Sequence, residues 1–370
     1  MIRNTFLLLT LGAMSTMAQD PEDEPQTWPT PDRGSFVISN FTFDAGETLD
    51  RLDIHYRTLG EPKFNADGSN NVVLIGHGST ASSEQFLNDG FAGALFNPGQ
   101  VLDAQKYFII MPDGIGHGNS SKPSNTGLRA RFPSYQYSDM VRVNHRLVTE
   151  HLKLNHTRLV MGVSMGAMHT WVMGSEYPDF TDALFPIACQ PAQIAGHNRL
   201  WRKLAIELLR TDPAWHGGNY TKQPLASLSG VLSLLQTMFS SAVDLQARYP
   251  TRDAMDAFVD ALLPHVPEYD ANDQLYAWNA SHTYDPEPQL GAIRVPLTAV
   301  NTADDLMNPP QLGLLERAVG QLMRPGLGKA VVIPESEHTV GHGSYIMAKL
   351  WVQELELLLA RTEARNGTSY

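Results

Sequence analysis

Six short apolar runs recur along this chain, most of them closing on glycine, aspartate or serine. They are NVVLIGHGS (71–79), YFIIMPDG (107–114), TRLVMGVS (157–164), ALFPIAC (183–189), VPLTAVNTAD (295–304) and KAVVIPES (329–336). Runs of this length without strict alternation suit parallel strands covered on both faces. Patterns with helical spacing lie among them, over Tyr137–Leu152, Met165–Tyr177, Pro310–Leu322 and Ser344–Leu359. Strand, helix and strand in series predict an α/β fold with a mostly parallel central sheet flanked by helices. Ahead of them SFVISNFTF (35–43) and LDIHYRTLG (52–60) have strand periodicity and predict an antiparallel opening. The alternation breaks from about 190 to 288, where LWRKLAIELLRTDPAW, LSGVLSLLQTMFSS and DAMDAFVDALL are helical. Insertions at the C-terminal edge of a parallel sheet lie over the substrate crevice. This stretch is therefore read as a helical cap within one domain, 35–370, inserted before the strand that ends in Asp304 and Asp305.

Acidic residues outnumber basic ones, 39 to 27, and the net charge is −12 with no basic patch. That balance excludes nucleic acid and anionic membranes as natural partners. Cys189 is the only cysteine, so an intramolecular disulfide and a cysteine metal cluster are both excluded. Gly-His-Gly occurs at His77, His117 and His342. The spacings match no helix or hairpin pair of ligands, so no metal and no cofactor are expected. His77 and His117 are read as stabilising loops that line the crevice.

The first twenty residues, MIRNTFLLLTLGAMSTMAQD, have a basic n-region at Arg3, an apolar stretch from Phe6 to Met14, and small residues suiting cleavage after Ala18. This predicts a signal peptide over 1–18, too short for a membrane span. The acidic, proline-rich stretch that follows predicts a disordered leader over 19–34. Asn-X-Ser/Thr sequons begin at Asn40, Asn119, Asn155, Asn219, Asn279 and Asn366. Leader and sequons together predict a secreted glycoprotein. No other segment is long and apolar enough to span a bilayer, and no pattern fixes an oligomeric state.

LVMGVSMGAMH (159–169) places Ser164 between two glycines where a strand-like run gives way to a helix-like one. This is the G-x-S-x-G elbow in its required context, which exposes a serine hydroxyl for nucleophilic attack. A Gly-rich turn whose serine only caps the next helix is the plainer reading. A serine needs a base, and the base an orienting acid. In this arrangement the chain order is serine, acid, histidine. His338 and His342 both follow the last strand; His342, between glycines just ahead of the helix, is preferred. The acid should follow the preceding strand, where Asp304 and Asp305 are rivals. An acid four residues before a proline selects Asp305, with Pro309. The oxyanion needs two backbone N–H groups. Met165, after the nucleophile, supplies one, and Ser79, after the run 71–76, the other.

These segments resemble the homoserine O-acetyltransferase-like branch of the α/β-hydrolase superfamily from about Phe36 to the C-terminus. NVVLIGHGST, GQVLDAQKYFIIMPDGIGHGNSSKPS, RFPSYQYSDMV, GVSMGAMHTW, LAIELLRTDPAWHGGNY, DDLMNPP and GHGSY stand in that family's order. The resemblance implies an α/β-hydrolase fold and a triad of Ser164, Asp305 and His342. It also implies a cap arginine for the substrate carboxylate and an acid after the histidine for the substrate ammonium. This chain has no Lys or Arg between Lys222 and Arg248, only Arg202 or Lys203 as substitutes, and Gly343 after the histidine. Its cap stretch LASLSGVLSLLQTMFSSAV is apolar and uncharged, which favours an acyl chain or an uncharged acceptor. The function expected is a secreted serine hydrolase cleaving a small ester through an acyl-enzyme. The alternatives are an acyltransferase using an acceptor other than homoserine, as in secondary metabolism, and a non-catalytic binding module. A small-molecule ester or acyl donor is the expected partner.

Overall fold

In the computed structural model, which describes residues 26–64 and 70–366 with side chains to residue 363, the chain forms one eight-stranded sheet. Its opening hairpin is β1 (Asp32–Thr42) and β2 (Thr48–Leu59). The six apolar runs then supply β3 (Val72–Gly76), β4 (Phe108–Pro112), β5 (Leu159–Val163), β6 (Leu184–Ile187), β7 (Leu297–Thr302) and β8 (Gly328–Ile333). The strand order is β1-β2-β4-β3-β5-β6-β7-β8. The hairpin joins β4 antiparallel, and every other pairing is parallel. Successive side chains of a strand point to opposite faces. Leu74 and Ile110 thus enter one apolar layer, with Trp171, while Val73, Ile75 and Ile109 enter the other, with Trp351. Burial on both faces is why these strands lack a polar alternation.

The expected signal peptide (1–18) and leader residues 19–25 lie outside the described residues. The rest of the expected leader is ordered. β1 begins at Asp32, which pairs with Thr58. Thr27 hydrogen-bonds Asp89 at 3.0 Å, and Trp28 packs against the core. An edge strand is held by backbone pairing as well as by apolar side chains, so a polar composition did not mark its start.

Two expected helices are also broken. Over 310–322 the turn Pro310–Leu312 is set apart from Leu314–Arg317, which runs on into a wider turn over Ala318–Leu322, because Gly313 takes a left-handed φ of 65° between them. Near the C-terminus the helix is Val352–Asn366. The preceding stretch is held in tight turns by Ala348 N–H donating to Gly90 O (2.9 Å) and Trp351 Nε1 to Tyr345 O (3.0 Å).

Between β6 and β7 lie the helices Gly196–Arg210, Leu225–Phe239, Ala242–Arg248, Arg252–Leu262 and Ala271–Asn279. The starts of the last three are set by capping side chains: Ser241, Thr251 and Asp270 each accept from the first free amides of the helix they open. These helices share an apolar cluster of their own, around Trp201, Leu228, Leu235 and Trp278. Met307, two residues beyond Asp305, belongs to the same cluster. The cap is thereby docked onto the loop that carries Asp305. Asn40, Asn119, Asn155 and Asn219 are exposed and Asn279 is half-buried, while the Asn366 side chain lies outside the described residues. Among the described residues no single helix is long and apolar enough to cross a membrane.

Candidate active site

Ser164 stands between β5 and the helix Met165–Glu176 with φ 52° and ψ −112°. A serine in this region is strained, by roughly 1–3 kcal/mol. The turn is held because its glycines admit contacts no other residue could. A Cβ on Gly162 would stand 2.3 Å from the Gly166 carbonyl carbon, and one on Gly166 would stand 2.0 Å from Gly76 O. Ser164 N–H donates to Ile187 O and Gly166 N–H to His77 O, both at 2.9 Å. Gly166→Ala is therefore expected to exceed the usual overpacking cost of about 1–3 kcal/mol, since backbone rather than a side chain must move. Chemical denaturation should show it; a loss below about 1 kcal/mol would contradict the close approach.

The hydroxyl so presented meets His342, whose Nε2 lies 2.9 Å from Ser164 Oγ. On the other side of the ring, Nδ1 lies 2.9 Å from Asp305 Oδ2. An ionised carboxylate can only accept, so Nδ1–H donates to Asp305 and Nε2 is left to accept from the Ser164 hydroxyl. All three side chains are buried, with relative exposures of 2%, 0% and 1%. The other oxygen of Asp305 accepts from Met307 N–H (2.8 Å) and Asn308 N–H (2.9 Å). Asp304 points elsewhere: its Oδ2 accepts from Gly341 N–H at 2.9 Å and so braces the loop before His342. His338 is exposed, with Glu337 at 3.7 Å as its neighbour. The rings of Phe239 and Tyr345 meet the His342 ring edge-on, at 5.0 and 5.3 Å.

Met165 is the first residue of its helix, where a backbone N–H has no intrahelical partner. Ser79 belongs to the loop after β3, and its carbonyl faces His117 Nε2 at 2.8 Å. His77 Nδ1–H donates to Gly78 O, and its Nε2 accepts from Gly114 N–H, both at 2.8 Å. The two histidines thus tie the loops after β3 and β4 together. Asp113 does so too, a residue the sequence reading passed over. It accepts from Ser83 N–H (2.8 Å), Ser83 Oγ (2.6 Å) and Asn119 N–H (2.9 Å), with His55 at 3.4 Å. Burial pushes its carboxyl up, but bonds from His55, Asn119 and Ser83 outweigh this and hold it well below the usual range. Its signal was legible: an aspartate closing an otherwise apolar run.

Burial pushes His117 down to about 4, with His77 adding to the effect, and pushes His169 down to about 3. Burial also lowers His77, against the pull of Asp113. In the unfolded chain such side chains take up protons near pH 6.5, so unfolding binds protons as pH falls from about 6.5 to 4 and stability falls with it. Asp273 acts in the opposite sense, because burial raises its carboxyl to about 6 and the native state holds that proton first. Burial raises Asp139 and Glu176 in the same sense and lowers His145 as well, so among the described residues four lowered histidines stand against three raised carboxyls. Stability should therefore decline from pH 6.5 to 4, by about 1.4 kcal/mol per pH unit for each net proton. Urea unfolding at pH 7, 5.5 and 4.5 checks this; a flat or rising trend toward acid would contradict it.

The cap differs from its expected lining. The helix Leu225–Phe239 turns Leu228, Val231, Leu232, Leu235 and Met238 into the cap's own core. Phe239, at its C-terminal end, meets the His342 ring. Beside Ser79 lies a cavity of about 520 Å³ whose lining is mixed, with Ala81, Pro267, Tyr269 and Ala277 beside Glu84, Glu268, Asp270, Asp273 and Lys122. Lys122 is already paired with Asp273 at 3.4 Å. Of the two cap cations named as substitutes, Lys203 is exposed and pairs with Glu207, whereas Arg202 is fully buried between Trp201 and Trp278.

A family model described as "alpha/beta hydrolase fold" matches residues 71–340. The chain belongs to the α/β-hydrolase family. Its relatives put it in the homoserine O-acetyltransferase-like branch. It is 28% identical over 351 residues to a homoserine O-acetyltransferase of Pelobacter propionicus, covering 85% of this chain and 92% of that enzyme. It is 26% identical over 284 residues to a probable acyltransferase of Methanothermobacter thermautotrophicus, covering 76% of this chain and 86% of that protein. Among solved structures, an acetylester hydrolase from Corynebacterium glutamicum superposes with a TM-score of 0.77 at 22% identity, over 89% of this chain and 96% of that one. The last likeness is one of fold. Relatives named for transfer and for hydrolysis thus share this α/β-hydrolase scaffold.

Proposed function

We propose that this α/β-hydrolase is a secreted serine hydrolase that cleaves a small ester through an acyl-enzyme. The observation that carries the reading is the chain Ser164 Oγ–His342 Nε2, His342 Nδ1–Asp305, at 2.9 Å in both links. Ser164 Oγ attacks the ester carbonyl while His342 Nε2 takes its proton. Asp305 holds the ring and stabilises the imidazolium that forms. The oxyanion is met by the N–H groups of Met165 and Ser79. His342 then returns the proton to the departing alcohol, leaving Ser164 acylated. Water, deprotonated by His342, attacks the acyl carbon and frees the acid and the serine.

Transfer to an alcohol other than homoserine would use the same acyl-enzyme, and the relatives named as acyltransferases favour it. Charge favours water. The cavity beside Ser79 carries four carboxylates against one paired lysine, a surface that repels a polyanionic donor such as a nucleotide thioester. Exposed sequons and the N-terminal pattern support secretion. The test is intact mass after a fluorophosphonate, then after a panel of acyl esters, with kcat/KM for short esters compared with homoserine plus acetyl-CoA. Labelling of Ser164 with faster ester hydrolysis is the expected result. Homoserine turnover tenfold above ester hydrolysis, about 1.4 kcal/mol, would establish the transferase instead. No labelling at all would leave a binding module. N-terminal sequencing of secreted material should begin near Gln19; retention of Met1 would refute secretion.

A further inference from the structure

Arg202 is wholly buried, and among the described residues no carboxylate lies within ion-pair distance of it. A buried cation without a counter-charge is costly, so what it does hold is informative. Its Nε donates to Asn198 Oδ1 at 2.8 Å, and Nη1 to Ser281 Oγ at 3.1 Å. The faces of Trp201 and Trp278 lie 4.8 and 5.4 Å from the guanidinium carbon, which offsets part of the charge.

The bond to Asn198 fixes the sense of everything beyond it. Only an oxygen can accept from a guanidinium, so Asn198 must turn its amide nitrogen the other way. That nitrogen donates to Met307 O (3.0 Å) and Asn308 Oδ1 (3.1 Å). Asn308 must then donate through its own Nδ2, which reaches Ala188 O at 3.0 Å, while Asn301 Nδ2 holds Asn308 O at 2.7 Å. The residues so gripped, Met307 and Asn308, are those whose N–H groups hold Asp305 Oδ1. Each link is buried: Asn198 is 8% exposed and Asn308 0%.

We propose that Arg202 and Asn198, on the first helix of the cap, are positioning residues for Asp305, so that the docked cap sets the geometry of the acid. This rests on the reading of Asp305 as the triad acid. Neither residue meets the substrate. They fix the loop whose amides aim one carboxylate oxygen, and thereby the other oxygen, at His342.

Asn198→Asp is the sharpest variant. It keeps the acceptor for Arg202 and nearly the same shape, but replaces the donor that faces Met307 O and Asn308 Oδ1 by an acceptor. Arg202→Met is the second variant, and Lys203→Met, one residue along on the exposed side, is the control. In the full chain, short-ester kinetics should show kcat lowered tenfold or more in both variants with KM within twofold. The second-order rate of fluorophosphonate labelling should fall by the same factor, and the control should match the unaltered enzyme. A merely structural role is separated by a double-mutant cycle. In an Asp305→Ala background the Asn198→Asp change should cost less than twofold, because the residue it acts through is gone. A tenfold loss persisting in that background, or a loss under threefold in the variants that melt as folded proteins, overturns the proposal. If Asp305→Ala alone leaves kcat unchanged, the reading of Asp305 falls first, and the proposal with it.

Discussion

Ser164→Ala is expected to lower kcat on a short ester by roughly 10⁶, the scale on which removal of such a serine abolishes covalent catalysis. The argument is local. The hydroxyl is buried and its one hydrogen-bonding partner in the triad is His342 Nε2. With the oxygen gone, the imidazole has no proton to take and no acyl-enzyme can form. Residual turnover of roughly 10³–10⁴ over water would survive from the oxyanion donors alone. The change should cost little stability. Alanine faces the same strain at φ 52°, and the imidazole nitrogen loses one hydrogen bond, about 1 kcal/mol. A melting temperature within a few degrees of the unaltered protein, with no fluorophosphonate adduct, is the expected companion result. A folded variant within tenfold of normal turnover on every ester would end the serine-hydrolase reading.

The elements of the proposed triad are legible because each depends on a short stretch of chain. Gly162 and Gly166 mark a place where backbones meet, and a serine between them at a strand-to-helix junction has few other uses. His342 stands out over His338 because it lies between glycines, and Asp305 over Asp304 because Pro309 follows by four. The structure brings Ser164, Asp305 and His342 together and leaves His338 on the surface. The unread parts are those in which the partner is distant in sequence. Asp113 is held from Ser83, 30 residues before it, and Asn198 reaches Asn308 across 110 residues. At the cap, apolar composition alone pointed to a substrate lining. The helix Leu225–Phe239 turns its apolar residues into the cap's own core. Composition cannot distinguish a face turned to other helices from one turned to a ligand, since both are dry.

Asp305→Asn is expected to lower kcat/KM by about 10⁴, and Asp304→Asn by far less, although both carboxylates are buried and adjacent. The difference lies in what each oxygen holds. Asp305 Oδ2 takes the proton of His342 Nδ1. An amide at this place can present its NH₂ group to the ring, which favours the tautomer with the proton on Nε2 and so removes the base from Ser164. The amide also lacks the charge that stabilises the imidazolium as the serine proton is transferred. Asp304 Oδ2 accepts only from the Gly341 backbone, and the oxygen of an asparagine accepts there equally well. Its effect should come through the stability of the His342 loop, on the order of the 1.5–3 kcal/mol typical of a hydrogen bond to a charged group at most. The two variants, measured side by side on one ester with their melting temperatures, check both statements. A larger catalytic loss at Asp304 would mean that the acid exchanges places with its neighbour during turnover, and that the proline spacing which singled out Asp305 reports the fold of the loop and not its chemistry.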